Sequence, residues 1–283
     1  MTPVTKPALR YHGAKFRLAP WVISHFPEHR CYVEPFGGAA GVLLRKAPSH
    51  AEVYNDLDQH IVTFFRVLRD LELREQLQQA CVMTPYSREE FILACQQCDM
   101  SDQVEVARRV VVRATMGFGV AAGTHGNTGF RTDTRRKYGT AMQLWAEYPN
   151  NLAVLGARFA GVLIENRPAI QVMQSHDTPE TLHYIDPPYL PETRCSRNRY
   201  YRHEMTIEDH EQLLAAMQQL EGMVIISGYD SEMYNDMLPG WRVEKTQARM
   251  SAGRGTGLRT ECLWINPAAA EALASQKKEG AAA

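Results

Sequence analysis

The strongest chemical signal in the chain is Asp186-Pro187-Pro188-Tyr189, which stands directly after the apolar stretch His183 to Ile185. Two adjacent prolines fix two φ angles and remove two backbone donors, leaving the Pro187 carbonyl open to accept a hydrogen bond. An amino group on an aromatic ring is a poor nucleophile, because its lone pair is delocalised into the ring. The Asp186 carboxylate and the Pro187 carbonyl are two acceptors that could hold its two hydrogens and turn the lone pair toward an electrophilic methyl group. Tyr189 offers a stacking face to a base swung out of a duplex. Without context, the same four residues also make a Pro-Pro turn that closes a strand, with Asp186 as its cap.

A second constellation lies near the N-terminus, in Val33-Glu34-Pro35-Phe36-Gly37-Gly38-Ala39-Ala40-Gly41. Glycines at 37, 38 and 41 permit a sharp turn and close approach of a ligand at the carboxyl end of a strand, where open parallel sheets bind nucleotides. Asp56 follows Gly37 by 19 positions, at the end of the next short strand. An acid there can accept hydrogen bonds from both hydroxyls of a ribose. The turn is not GxGxxG, and Glu34 would repel a pyrophosphate, which points away from a dinucleotide. A carboxylate at that place suits a ligand with a sulfonium or ammonium group. Serving only chain reversal is the alternative for this turn.

Around these residues the chain is an ordinary globular one, 283 residues long, with 45% hydrophobic and 22% charged residues. That composition excludes disordered and fibrous classes, and no apolar run approaches the roughly 20 residues of a membrane helix. Met1 to Leu9 lacks the apolar core of a signal peptide, so a cytoplasmic protein without a membrane partner is expected. Cys95 and Cys98 form a CxxC with no second pair at zinc spacing, so no metal is expected. Net charge is only −1, yet basic residues cluster in three places. These are Lys245, Arg249, Arg254 and Arg259; Arg131, Arg135, Arg136 and Lys137; and Arg194, Arg197, Arg199 and Arg202 around Tyr200 and Tyr201. Three such runs in loops suggest a nucleic-acid partner, although any one alone is usually a solvated surface.

The elements that must position this chemistry read as an α/β protein. A helix is expected within Leu18 to Phe26, and strands at Cys31–Val33 and Ala51–Tyr54 flank a helical stretch from Ala39 to Lys46. Apolar residues at helical spacing predict one helix from Ile61 to Ala80. Polar helices follow around Ser87 to Gln97 and Gln103 to Thr115, then a glycine-rich loop from Gly117 to Gly129, so residues 84–148 look like an insert. Strand character returns at Val162–Ile164 and His183–Ile185. A helix from Ile207 to Leu220 precedes strands at Met223–Ser227 and Cys262–Ile265. The tail from residue 268 reads as an alanine-rich helix fading into disorder.

With these residues in place, the chain resembles the DNA adenine methyltransferases of the Dam type and their phage-borne relatives. The resemblance runs from Arg10 to Pro267. Tyr11-His12-Gly13-Ala14-Lys15 is similar to the family's N-terminal motif, Glu34 to Gly41 to its glycine motif, and Asn55-Asp56 to its ribose-binding acid. Asp186 to Tyr189 matches the catalytic tetrapeptide, while Ser227-Gly228-Tyr229 and Glu261 to Pro267 resemble later framework motifs. The order is that of the alpha arrangement, with target recognition set between the cofactor and catalytic motifs.

The resemblance implies a Rossmann-like methyltransferase sheet with an inserted, mostly helical recognition domain. Residues 1–83 and 149–267 would form the catalytic domain, 84–148 the DNA-binding insert and 268–283 a disordered tail. It implies S-adenosylmethionine as methyl donor, S-adenosylhomocysteine as product and adenine N6 in double-stranded DNA as acceptor, in a bacterial or phage-encoded monomer of the kind found in restriction–modification. Tyr11, Lys15, Glu34, Pro35, Phe36, Gly37, Gly38, Asp56, Leu57 and Asp186 would bind the cofactor, together with Glu165 or Asn166. Asp186, Pro187, Pro188 and Tyr189 would be catalytic. Asn127, Arg131, Arg135 and Arg136 are the expected DNA contacts, because Arg and Asn read guanine and adenine bidentately, with Tyr200 near the flipped base. Cytosine and RNA acceptors share related tetrapeptides, and the target sequence stays open.

Overall fold

In a computed structural model of the chain, the described residues are 2–119, 128–132, 134, 139–193, 201–252 and 255–282. The centre is a seven-stranded sheet in the order β3-β2-β1-β4-β5-β7-β6. Its strands are β1 (Cys31–Glu34), β2 (Ala51–Asn55), β3 (Val162–Glu165), β4 (Thr181–Ile185), β5 (Met223–Tyr229), β6 (Arg242–Ala252) and β7 (Gly255–Ile265). The first five run parallel, and β7 pairs antiparallel with both β5 and β6. This is a mixed α/β architecture around a mostly parallel sheet, as expected from the sequence.

Side chains alternate across the sheet with the period of two that a pleated strand imposes. Ile225 of β5 and Leu263 and Ile265 of β7 join the largest apolar cluster, whereas Val224, Ile226, Cys262 and Trp264 join a second one. Burial on both faces explains why β5 opens with the unbroken apolar run Met223 to Ile226 and why all five residues of β4 are buried. Helices α1 (Ala19–Ile23), α2 (Gln59–Arg69), α3 (Leu71–Met83), α4 (Arg88–Cys95) and α5 (Gln103–Met116) precede β3, with α6 (Ala141–Glu147) and α7 (Leu152–Phe159). Phe91 and Ala94 of α4 and Val110 and Val111 of α5 are buried in the same cluster as Ile61, Phe64 and Leu68 of α2. Later helices are α8 (Ala169–Ser175), α9 (Ile207–Met217), α10 (Glu232–Met237) and α11 (Pro267–Ala282).

Four local expectations differ from the fold. The single helix expected from Ile61 to Ala80 is two, because extended Asp70 ends α2 and its carboxylate accepts from Leu73 N to cap α3. Ala39 to Lys46 forms successive turns instead of an α-helix. Gly38 and Ala40 there have φ of 46° and 53°, and the Leu43 N–H is diverted to the Glu34 carboxylate at 3.0 Å. The basic run from Lys245 to Arg259, read as loop, belongs to the long β6–β7 hairpin. The tail, expected to fade into disorder, is helical over Pro267–Ala282. Asn266 Oδ1 accepts from Ala269 N, and Ala269 and Leu273 are buried.

Candidate active site

The strand order reverses between β1 and β4, and at such a switch point the carboxyl ends of the strands leave a crevice. A cavity of about 280 Å³ lies there. The loops that shape it are stapled by Asn55 at the end of β2. Its buried amide donates to the Pro35 carbonyl at 2.9 Å and the Arg167 carbonyl at 3.0 Å, and accepts from Arg167 N at 2.9 Å. One side chain thereby fixes the ends of β1, β2 and β3 relative to each other. Gly37 follows β1 so tightly that a Cβ there would lie 2.1 Å from the Tyr54 ring.

Asp56 faces this glycine turn. Its two carboxylate oxygens accept from Gly38 N at 2.8 Å and Asp58 N at 2.7 Å, which holds it rigidly at the cavity wall. Burial, with the nearby Asp58 charge, lifts its carboxyl to about 6 despite those hydrogen bonds. Glu34 also lines the cavity and is buried, accepting from the Tyr32 hydroxyl at 2.8 Å and Leu43 N. Burial pushes it to about 8, although those donors pull the other way.

Asp186 and Pro188 of the tetrapeptide border the cavity as well. Asp186 Oδ1 accepts from the Ser227 hydroxyl at 2.8 Å and pairs with the Lys15 ammonium at 3.0 Å. Among the described residues no hydrogen bond reaches Asp186 Oδ2 or the Pro187 carbonyl. Burial would lower the Lys15 ammonium, but Asp186 and Glu261 outweigh it and hold it above its ordinary value. Residues 201–205 also line the cavity. Arg202 pairs with Asp58 at 3.2 Å, and the Tyr201 hydroxyl lies so close to Gly13 that a Cβ there would meet it at 2.2 Å. Leu57, Pro168 and Ile170 add apolar lining.

Comparison with known proteins decides what this site belongs to. Residues 11–250 match the model of the D12 class N6 adenine-specific DNA methyltransferases. The chain belongs to that family. It is also similar to the type II methyltransferase M1.LlaDCHI of Lactococcus lactis subsp. cremoris, 24% identical over 276 residues, covering 90% of this chain and 92% of the relative. An N6 adenine-specific DNA methyltransferase uses S-adenosylmethionine, and the cavity fits such a ligand. A clamped acid for a ribose, a glycine cradle, an apolar wall for a flat ring and a buried carboxylate for a cationic group all border one space.

Most expected cofactor residues of this methyltransferase meet there: Tyr11, Lys15, Glu34, Pro35, Phe36, Gly37, Gly38, Asp56, Leu57 and Asp186 line the cavity. Glu165 and Asn166 do not. Glu165 pairs with Arg167 at 3.1 Å, and Asn166 donates to the Asp56 carbonyl at 2.7 Å, so it supports the loop of Asp56 from behind. Pro188 borders the cavity while Pro187 and Tyr189 do not. The Tyr189 ring carries the Lys15 ammonium at 4.6 Å over one face. Arg131 is only 4% exposed, so a DNA contact by this side chain requires its loop to rearrange. Asn127, Arg135, Arg136 and Tyr200 lie outside the described residues.

Sequence reasoning did not find Ser227 and Glu261 as partners of the tetrapeptide, nor Met205, Leu213 and Ile170 as cavity walls. A lone acid opening the apolar run Cys262 to Ile265 was the one signal for Glu261. Among the described residues no cluster of His, Cys, Asp and Glu could hold a metal ion, and no helix is long and apolar enough to cross a membrane.

Proposed function

We propose that this methyltransferase acts on an adenine extruded from double-stranded DNA. Asp186 Oδ2 and the Pro187 carbonyl would accept the two N6 hydrogens, since Oδ1 is already taken by Ser227 and Lys15. Holding both hydrogens draws the nitrogen lone pair out of conjugation with the ring and aims it across the cavity. S-adenosylmethionine supplies an electrophilic methyl group on a sulfonium centre. Asp56 would hold its ribose, the glycine turn its backbone-facing side, and Glu34 its positively charged end. Segment 201–205 lines the same space and would exclude water from it around a bound ligand, which strengthens polar contacts there. Tyr189 would serve as a platform for the base, on the face away from Lys15 or after the ammonium moves aside.

For DNA reading, residues 84–148 remain the proposed recognition insert, with Asn127, Arg131, Arg135 and Arg136 as its contacts and Tyr200 near the base. Dam-like target choice, pairing with a restriction nuclease, a monomeric state and action in the bacterial cytoplasm without a metal belong to the same reading. S-adenosylhomocysteine would be the product.

The observation that carries the proposal is the free Oδ2 of an otherwise anchored Asp186 at the cavity wall, with the carbonyl of the next residue, Pro187, also open to accept. Asp186→Ala should lower transfer of labelled methyl groups to unmethylated plasmid DNA by at least about a hundredfold while leaving DNA binding in place. Wild-type transfer by that variant would overturn the role given to Asp186.

A further inference from the structure

The geometry points to Glu261 as the positioning residue that orients the Tyr189 ring of the catalytic tetrapeptide. This inference rests on the reading of Tyr189 as the base platform. The two prolines fix the backbone up to Pro188, yet nothing in them fixes the direction of the next ring. A buried phenol needs a partner for its hydroxyl. Glu261 supplies it, accepting from the Tyr189 hydroxyl at 2.7 Å.

Sheet register makes the contact possible. β7 runs antiparallel to β5 with Glu261 opposite Tyr229, and the Tyr229 ring meets Tyr189 at a steep angle, 4.6 Å between centroids. Glu261 is 6% exposed, and its carboxylate is turned inward onto the Tyr189 hydroxyl. Lys15 lies over the Tyr189 ring and pairs with Asp186. Three distant stretches, the N-terminal loop, the tetrapeptide and the last strand, therefore converge on one aromatic ring. Burial raises the Glu261 carboxyl while Lys15 and the Tyr189 hydroxyl draw it back. Without Glu261 the phenol loses this contact, while Lys15 keeps its pairing with Asp186 at 3.0 Å. The change disturbs the ring that must meet the base and touches neither the glycine turn nor Asp56.

The test is the single-turnover rate of methyl transfer to unmethylated plasmid DNA, measured beside cofactor affinity by calorimetry and the melting temperature. Glu261→Ala should lower the rate by about tenfold or more with cofactor affinity within about twofold of wild type. Glu261→Gln, which can still accept from the phenol, should recover the rate to within about threefold of wild type. Tyr189→Phe removes only the hydroxyl and should match Glu261→Ala, and the double variant should be no slower than either, because both break one contact. A wild-type rate in Tyr189→Phe or Glu261→Ala overturns the inference, as do independent, multiplying losses in the double variant. A melting temperature and cofactor affinity that fall while the rate holds would mark Glu261 as merely structural. Should Glu261→Ala fail to fold, Glu261→Gln against Tyr189→Phe still decides. Tyr189→Ala separates the two layers: a wild-type rate there removes the platform reading itself, whereas a loss there with full activity in Glu261→Ala removes only the role of Glu261.

Discussion

Glu34 is a carboxylate that burial keeps protonated at neutral pH. Burial lifts it to about 8 from an ordinary 4.5, so between those values the folded chain binds the proton that the unfolded chain releases. Its contribution to stability therefore falls as pH rises through that window and is constant above it. A cation bound beside Glu34 reverses the preference, because the ionised form then gains a partner. Cofactor affinity should accordingly rise with pH between 6 and 8, by at most about tenfold per unit, and binding should release a proton. Calorimetry in two buffers of different ionisation enthalpy reads that proton directly. Glu34→Gln should flatten the rise above the Asp56 value of about 6; an unchanged slope would place the cationic group elsewhere. The acid itself and its suitability for a cation were legible in Val33-Glu34-Pro35. Its protonation was not, because desolvation depends on Tyr32, Leu43 and the strands that bury it.

Among the elements, the turn from Gly37 to Lys46 is closely constrained by its neighbours. Gly41 packs against the backbone of the N-terminal loop: a Cβ would lie 2.7 Å from Phe16 N and 3.0 Å from Lys15 N. Backbone atoms cannot step aside as a flexible side chain can. Gly41→Ala should therefore cost about 1–3 kcal/mol, read as a lower urea midpoint. It should also slow methyl transfer, because the loop it displaces carries Lys15 to Asp186. Loss of stability with an unchanged transfer rate would show that Lys15 position tolerates the shift. Strands β1, β2, β3, β4 and β5 were readable from short apolar runs with clear ends. The turn at Ala39 to Lys46 was not, since helical composition there yields to a buried carboxylate that captures Leu43 N. Strand β6 was hidden for a related reason: its basic, polar sequence pairs only because β7 lies beside it.

Across the whole molecule, a buried ion cluster ties the helical layer to the sheet. Arg158 on α7 donates to both oxygens of Glu52 on β2, one at 2.9 Å, and to the Leu43 carbonyl at 2.7 Å, while Lys46 pairs with Glu52 at 2.7 Å. Burial would raise Glu52, but Arg158 and Lys46 outweigh it and hold the carboxyl below its ordinary value. The stability from this pair is thus present above the unfolded value and lost as pH falls through the folded one. Arg158→Ala leaves Glu52 with Lys46 alone and should cost about 3–5 kcal/mol in urea unfolding at neutral pH, with the deficit shrinking in acid. A deficit independent of pH would assign the loss to packing of the arginine stem.

The amino-acid sequence by itself determined which chemical groups are available and in what order: the tetrapeptide, the glycine turn, the strand-end acid and the alternation of helix and strand. Those signals are local, carried by residues a few positions apart, where backbone sterics and periodicity act. Only the tertiary structure decided which groups meet. Lys15, Asp186 and Glu261 are joined by strand order and antiparallel register, and Asn166 turned out to brace Asp56 from behind. Such contacts depend on how a sheet closes over residues far apart in the chain, and no spacing along the sequence encodes that distance.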